Sequence, residues 1–312
     1  MAAARILELD GPGYPAALRS LPQPPLVLYV RGRVELLSWP GIAVIGTRAH
    51  SIYGRDATVS FVVGLVRAGY VIVSGLARGI DGIAHRTALE IGGDTVAVLG
   101  TGIDVPYPPE HDELFQAIAT GGCLVSEFPP GTPPLKYHFP RRNRIIAGLA
   151  RGVLVVEAPE KSGAMNTAQH ALELGKEVFA VPGPIHNPTS AGTSRLIQEG
   201  AALVTSAADI LRILESRTGE SLPGPLAQGL DIDELEARLR RQPEPGSSEL
   251  ARRVWDALKS GACGVDELSE DLGTTSATLS AALLELELAG LVERLPGPRY
   301  ARALSSGGNR AR

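Results

Sequence analysis

Between residues 42 and 205, seven short apolar runs alternate with stretches of helical length, and this alternation limits what the 312-residue chain can fold into. The runs fall at 42–46, 70–74, 95–99, 123–126, 153–157, 178–181 and 202–205. The intervening stretches fall at 55–68, 80–91, 111–119, 142–150, 163–174 and 206–215. Strands alternating with helices predict a parallel sheet covered on both faces, a doubly wound α/β fold. A composition of 44% hydrophobic residues with 36 glycines and only 4% aromatics suits such a sheet, built from Val, Ile, Leu and Ala. Nearly every run ends in glycine or a small polar residue, so the loops at the strand carboxyl ends form the expected working edge.

The flanks divide the chain further. Residues 1–40 are proline-rich and read as a short N-terminal extension with one strand at 26–30, ahead of a core domain at 41–215. Residues 216–248 hold Pro223-Gly-Pro225 and Pro243-Glu-Pro-Gly246 around one short charged helix (231–241), and read as a linker. Residues 249–302 carry three helical patterns (250–259, 265–272, 275–289) and a strand that turns at Pro296-Gly-Pro298, the order of a winged helix-turn-helix. The last ten residues, 303–312, read as a disordered tail.

The first run, Ile42-Ala-Val-Ile45, stops at Gly46-Thr47-Arg48. A buried strand ending in glycine before a helix opens a phosphate-binding crevice, and an arginine at that exit offers a forked partner for an anion. The second run ends in Ser74-Gly75 and continues Leu-Ala-Arg-Gly79-Ile-Asp81 into a helix, whose first amides are free donors. Two such turns on neighbouring strands predict a shared anion pocket. No G-x-G-x-x-G opens a helix, the second strand ends in Ser74 rather than a ribose-binding acid, and Gly175-Lys176 precedes Glu177 instead of a Walker Ser or Thr. No cofactor is therefore expected.

The chemistry concentrates at 128–156, where no Asp or Glu occurs but Lys136, Arg141, Arg142, Arg144 and Arg151 do. Tyr137, His138 and Phe139 stand among these cations, just before a helix that Arg142-Asn143-Arg144 is expected to begin. Cations for a backbone and flat rings for bases are what a single nucleic-acid strand requires. Ser162-Gly163 starts another helix after the fifth run and adds an anion-facing turn. Glu157 reads as an ion-pair partner and His85 as a packed residue, and no nucleophile–base pair emerges, so no enzyme is expected.

A formal charge of −4 confines any polyanion site to a local patch. Cys123 and Cys263 are too few and too distant for a disulfide framework or metal site. There is no signal core and no run of about 18 apolar residues, so no membrane contact and a cytoplasmic location are expected. Residues 249–302 hold six Lys and Arg against nine acids, a net −3, and the would-be recognition helix at 275–289 contains Glu285 and Glu287 with no cation. Such a helix lacks phosphate anchorage and guanine readout, which favours a protein contact over duplex DNA.

Several ordered motifs carry a family resemblance: Ile42 to Arg48, Ser74 to Asp81 with Ala84-His85, Tyr107-Pro108, Ser126-Glu127, Phe139-Pro-Arg-Arg-Asn-Arg-Ile-Ile-Ala-Gly-Leu149, Val155-Val-Glu-Ala158, Ser162-Gly163 and Val181-Pro-Gly183. Together they resemble the DNA-processing protein A (DprA/Smf) family over residues 10–215, with 249–302 similar to its winged-helix module. The resemblance implies an extended Rossmann-like domain that binds single-stranded DNA, works as a homodimer, and protects incoming DNA while loading RecA recombinase in natural transformation, the competence pathway of DNA recombination. It implies a positive pocket at Arg48 and Lys136, a strand-contacting loop at Phe139 and Arg142-Asn143-Arg144, and a dimer or partner surface including Leu172, Ile197 and Leu203. Against that resemblance, the helical domain that many members carry before the core is expected to be absent or reduced to a stub here. The fold also resembles nucleotide phosphoribohydrolases with a Pro-Gly-Gly-x-Gly-Thr-x-x-Glu loop. The nearest match, Ser162 to His170, places His170 where their catalytic glutamate stands.

Overall fold

The computed structural model describes residues 4–218, 249–258, 263–288, 292–295, 297 and 299–302. The chain divides into two compact units. The expected linker helix (231–241) and the tail (303–312) lie outside the described residues.

The larger unit is built on a nine-stranded sheet. In chain order its elements are β1 (Arg5–Glu8), α1 (Ala16–Arg19), β2 (Val27–Gly32), β3 (Gly41–Ile45), α2 (Ile52–Arg67), β4 (Val71–Ser74), α3 (Ile80–Glu90), β5 (Thr95–Val98), α4 (Asp112–Gly121) and β6 (Cys123–Ser126). There follow α5 (His138–Leu149), β7 (Gly152–Val155), α6 (Gly163–Glu173), β8 (Glu177–Ala180), α7 (Ala191–Gln198), β9 (Ala202–Leu203) and α8 (Ala207–Thr218). The sheet order is β1-β2-β6-β5-β4-β3-β7-β8-β9. The seven strands from β6 to β9 are parallel, and every residue of β3, β4, β5, β6 and β7 is buried. Strands covered on both faces need apolar side chains on both, which is why these runs do not alternate. Each fully buried Val, Ile or Leu contributes about 1.5–3 kcal/mol. The chain winds one way from β3 to β6 and the other from β7 to β9, so the topological switch point lies between β3 and β7, where a doubly wound sheet opens its crevice.

Three expectations are corrected. Residues 5–32 are no extension ahead of the core: β1 and β2 join the sheet antiparallel to each other and to β6, with Tyr29 opposite Ser126. β2 thus enters at the edge where β6 leaves, and its apolar side chains Leu28 and Val30 belong to the core. Helix α8 continues to Thr218, past the boundary expected at 216. Helix α5 starts at His138 rather than Arg142, because Pro140 sits in its first turn, where a missing N–H costs nothing. At the other end of α5, Lys176 Nζ donates to the carbonyls of Ala147, Gly148 and Ala150 at 2.9, 2.6 and 2.6 Å, a cationic cap on the negative helix end.

The smaller unit contains α9 (Glu249–Ala257), β10 (Cys263–Gly264), α10 (Val265–Leu272), α11 (Ser276–Leu288), β11 (Val292–Leu295) and β12 (Arg299–Arg302). The strands form an antiparallel sheet in the order β10-β12-β11. Val254, Leu268, Leu279, Leu283, Leu286 and Val292 make its separate core. This is the winged-helix arrangement expected from the sequence. Among the described residues no helix is long and apolar enough to cross a membrane.

Candidate nucleic-acid interface

At the β3–β7 switch point the carboxyl ends of the strands enclose a cleft of about 300 Å³. Gly46, Thr47 and Arg48 form its β3 wall, Phe139, Arg142 and Asn143 its α5 wall, and Ser162 and Gly163 its α6 wall. Eight of the residues singled out in the sequence therefore meet here. The Arg48 guanidinium carbon lies 5.9 Å from the centroid of the Phe139 ring, a cation–π pair at the mouth. An adjoining depression is lined by Gly75, Arg78, Gly100, Thr101, Tyr107 and again Arg48 and Phe139. Tyr107 has its ring centroid 5.4 Å from that of Phe139, the two rings tilted at 43°. Tyr107 belongs to the family motif but has no site role expected from the sequence. Its one local signal is its place in the loop after β5, which the topology brings against α5.

The glycine turns are needed for close approach. Gly79 has φ of +74°, and a Cβ there would stand 2.2 Å from the Thr47 carbonyl oxygen, so the loops after β3 and β4 touch only because residue 79 lacks a side chain. Ile80 then donates its N–H to that same oxygen at 3.2 Å. Between these glycines Leu76 holds a φ of +55°, unusual for a branched residue and strained. Its N–H donates to His85 Nε2 at 3.3 Å and its carbonyl accepts from His111 Nδ1 at 3.1 Å. With Nε2 accepting, His85 Nδ1 carries the proton and donates to Thr95 Oγ1 at 2.6 Å, which donates onward to the Ile72 carbonyl. Burial, reinforced by His111, Arg142 and Arg86, pushes the His85 pKa down to about 3. His85 is a neutral brace, and both its nitrogens are engaged.

The remaining residues separate by environment. Arg142 is 4% exposed, and its Nη1 donates to the carbonyls of Gly75, at 2.7 Å, and Val98. A Cβ on Gly75 would stand 2.5 Å from Arg142 Nη2. Burial pushes this guanidinium down to about 10, with Asp81 opposing the shift, so it stays charged and binds the ends of β4 and β5 together. Asp81 Oδ2 accepts from the Gly75 N–H at 3.1 Å, and burial raises its pKa. Ser74 is fully buried and donates to the Val44 carbonyl at 2.7 Å, locking β4 to β3. Lys136 is exposed on the loop before α5, outside the cleft wall. Arg144 faces a second groove on the other side of α5 and pairs with Glu127 at 2.7 Å.

Glu157 is 1% exposed, accepts from Thr189 Oγ1 at 3.2 Å and packs against Gly54. His170 lies on the second groove and pairs with Glu173 at 3.4 Å. Leu172 and Leu203 are exposed, and Ile197 packs partly buried against the core. Among the described residues, no cluster of His, Cys, Asp and Glu has the arrangement of a metal site.

The family model described as DNA recombination-mediator protein A matches residues 5–215, and the DprA winged helix domain matches residues 230–298. The chain is 43% identical to Protein Smf of Escherichia coli (strain K12) over 293 residues, covering 94% of this chain and 76% of the relative. The X-ray structure of DNA processing protein A from Streptococcus pneumoniae superposes with a TM-score of 0.65 at 46% identity, covering 67% of this chain and 73% of that one. DNA processing protein A from Helicobacter pylori, solved to describe its single-stranded DNA binding mode, superposes with a TM-score of 0.62 at 32% identity, covering 69% and 99%. With its parallel sheet, its winged helix and these matches, the chain belongs to the DNA recombination-mediator protein A (DprA/Smf) family.

Proposed function

We propose that this protein binds single-stranded DNA along the carboxyl edge of its sheet, without chemistry of its own, and presents it to RecA recombinase in transformation and recombination. The observation that carries the reading is the Arg48–Phe139 pair, which sets a cation for phosphate beside a flat ring for a base at the rim of a glycine-lined cleft. Bases of a duplex are stacked and paired and cannot reach such a ring, whereas those of a single strand can. Phosphates would lie on Arg48 and Lys136 and near the amides at the start of α3 and α6, with Arg142 holding the cleft floor. The Helicobacter pylori relative supports the choice of ligand. The candidate acid–base groups, Glu157 and His85, are buried in structural hydrogen bonds, which supports a binding role over hydrolysis. Exposed Leu172 on α6 and Leu203 on the edge strand β9 are the apolar surface offered to a second copy of the chain.

A mobility-shift experiment comparing single- and double-stranded DNA of one sequence, with and without RecA, tests this. Preferential retardation of the single strand, and faster RecA assembly on it in the presence of the protein, are expected. Equal affinity for duplex, or no effect on RecA assembly, would overturn the corresponding half of the proposal.

A further inference from the structure

Lys136 stands outside the wall of the Arg48 cleft, so a strand whose phosphates meet both cations has to continue past Phe139 and over the loop before α5. That loop presents Tyr137, whose ring is 67% exposed beside the exposed Lys136 and Leu135. A single exposed aromatic is ordinary on a protein surface. Tyr137 differs in being held. The His138 N–H donates to the Leu135 carbonyl at 3.0 Å, closing a turn over residues 135–138, and Tyr137 takes helical dihedrals (φ −77°, ψ −13°) as the N-cap of α5. Its ring meets the His138 ring edge-on, with centroids 4.7 Å apart. His138 is 6% exposed and stacks on the buried Phe128 ring at 4.0 Å and 26°. Tyr137 is therefore the open end of a short column of rings whose inner members are buried.

The column also has a definite place on the sheet. Phe128 lies two residues past the end of β6, whereas Phe139 packs against Gly100, two residues past the end of β5. Arg48 follows β3. In the sheet order β3-β4-β5-β6, Arg48, Phe139 and Tyr137 thus succeed one another along the carboxyl edge. The three strand spacings from β3 to β6 span about 14–15 Å, room for about four stacked nucleotides at ~3.4 Å each. One ring cannot serve such a length. The charges follow the same line. Glu127 pairs with Arg141 and Arg144, while Lys136 makes no ion pair among the described residues, so the uncommitted cation next to Tyr137 is Lys136. No acid stands in the first turn of α5, and the positive end of that helix adds to the attraction for phosphate.

We propose that Tyr137 is a second stacking platform for single-stranded DNA. One base rests on Phe139 at the exit of β5, a later base on Tyr137 at the exit of β6, and Lys136 holds a phosphate between them. The inference rests on the single-stranded-DNA reading of the Arg48 cleft and gives that strand a line of travel along the sheet edge. A ring already fixed by packing loses little freedom when a base settles on it. Stacking accepts any base, because each has a π-face. The subsite therefore adds affinity and length without adding sequence preference.

The test is an abasic walk. The shortest oligonucleotide that keeps full affinity has one base replaced by a tetrahydrofuran, all phosphates retained, and is titrated by fluorescence anisotropy with the lesion moved one position at a time. Two separated sensitive positions are expected, each losing about fivefold or more in affinity. One sensitivity should disappear in Phe139→Ala and the other in Tyr137→Ala, while Tyr137→Phe, which keeps the ring without its hydroxyl, should retain both. Tyr137→Ala should also bind the intact oligonucleotide about fivefold or more weakly, with the salt slope of wild type because Lys136 keeps its phosphate. Thermal melting of each variant shows that it is folded. A single sensitive position, or two that survive Tyr137→Ala, overturns the subsite while leaving the Arg48 cleft intact. Failure of the wild-type protein to bind the intact oligonucleotide overturns both.

Discussion

The Arg48 guanidinium and the Phe139 ring lie 5.9 Å apart, although 91 residues separate them in the chain (139 − 48 = 91). One stands at the exit of the central strand β3 and the other in the first turn of α5, and the switch point of the sheet brings them together. The pair divides the work of holding a single strand into a charge part and a stacking part, which separate experiments resolve.

Stacking is tested at Phe139. Removing the ring in Phe139→Ala should weaken single-stranded DNA by about 1–3 kcal/mol, roughly 5- to 150-fold, because each base–aromatic stack is worth that much. The slope of log affinity against log salt should not change, since every phosphate keeps its cation. Restoration of affinity by Phe139→Trp, followed by anisotropy titration, would identify the contribution as stacking. An unaltered affinity in the alanine variant would remove Phe139 from the interface.

Charge is tested at Arg48. Arg48→Ala should flatten the salt dependence by about 0.7 for each phosphate of the single strand that the protein no longer neutralises. Lys136→Ala should do the same if the backbone continues over the loop before α5. Titrations at several salt concentrations give the slopes directly. Parallel lines for wild type and both variants would place the phosphates elsewhere.

Arg142 is expected to behave as scaffold. Its guanidinium spans the carbonyl ends of β4 and β5 and faces the buried Asp81. Arg142→Met leaves the buried Gly75 and Val98 carbonyls without their donor, a loss of about 1–3 kcal/mol of stability for each. Urea unfolding should therefore show a much lower midpoint, in contrast to Arg48→Ala, whose side chain is exposed. A midpoint equal to wild type would show that the carbonyls are satisfied without Arg142.

His85 predicts acid sensitivity of a definite sign. Its pKa is about 3 in the folded protein, held down by burial first and by His111, Arg142 and Arg86 after that. The unfolded chain restores a value of about 6.5, so between the two the unfolded state binds a proton that the native state refuses. The stability contribution is complete above pH ~6.5 and declines by about 1.4 kcal/mol per unit as pH falls toward 3, about 2 kcal/mol by pH 5. His85→Gln can still accept the Leu76 N–H but cannot take the proton, so its urea midpoint should fall less between pH 7 and pH 5. An identical decline in the variant would assign the acid sensitivity to other groups.

Much of the fold is legible in the residues themselves. Buried strands need apolar runs of fixed length, so β3 to β8 can be placed to within a residue or so from Ile42, Val71, Val96, Leu124, Val153 and Val178. The glycine exits and the acid-free segment after Glu127 announce an anion-binding edge. β1 and α7 leave too little periodic signal, being short and of mixed polarity, and their places follow from edge pairing and packing. The joining of residues 5–32 to the sheet is illegible for the same reason: Arg5-Ile-Leu-Glu8 becomes a strand only because β2 lies beside it.

The roles of neighbouring arginines belong to the fold. Arg142 and Arg144 differ by two positions in one basic run, and local sequence offers no ground for separating them. With α5 beginning at His138, two residues mean a turn of roughly 200° about the helix axis. Arg142 is thereby carried beneath Gly75 and Val98, and Arg144 to the opposite groove and Glu127. Local chemistry set which residues could meet an anion or a base. The phase of one helix against the sheet set which side chain is buried as a strut and which is presented, because burial depends on what surrounds a side chain and not on its type.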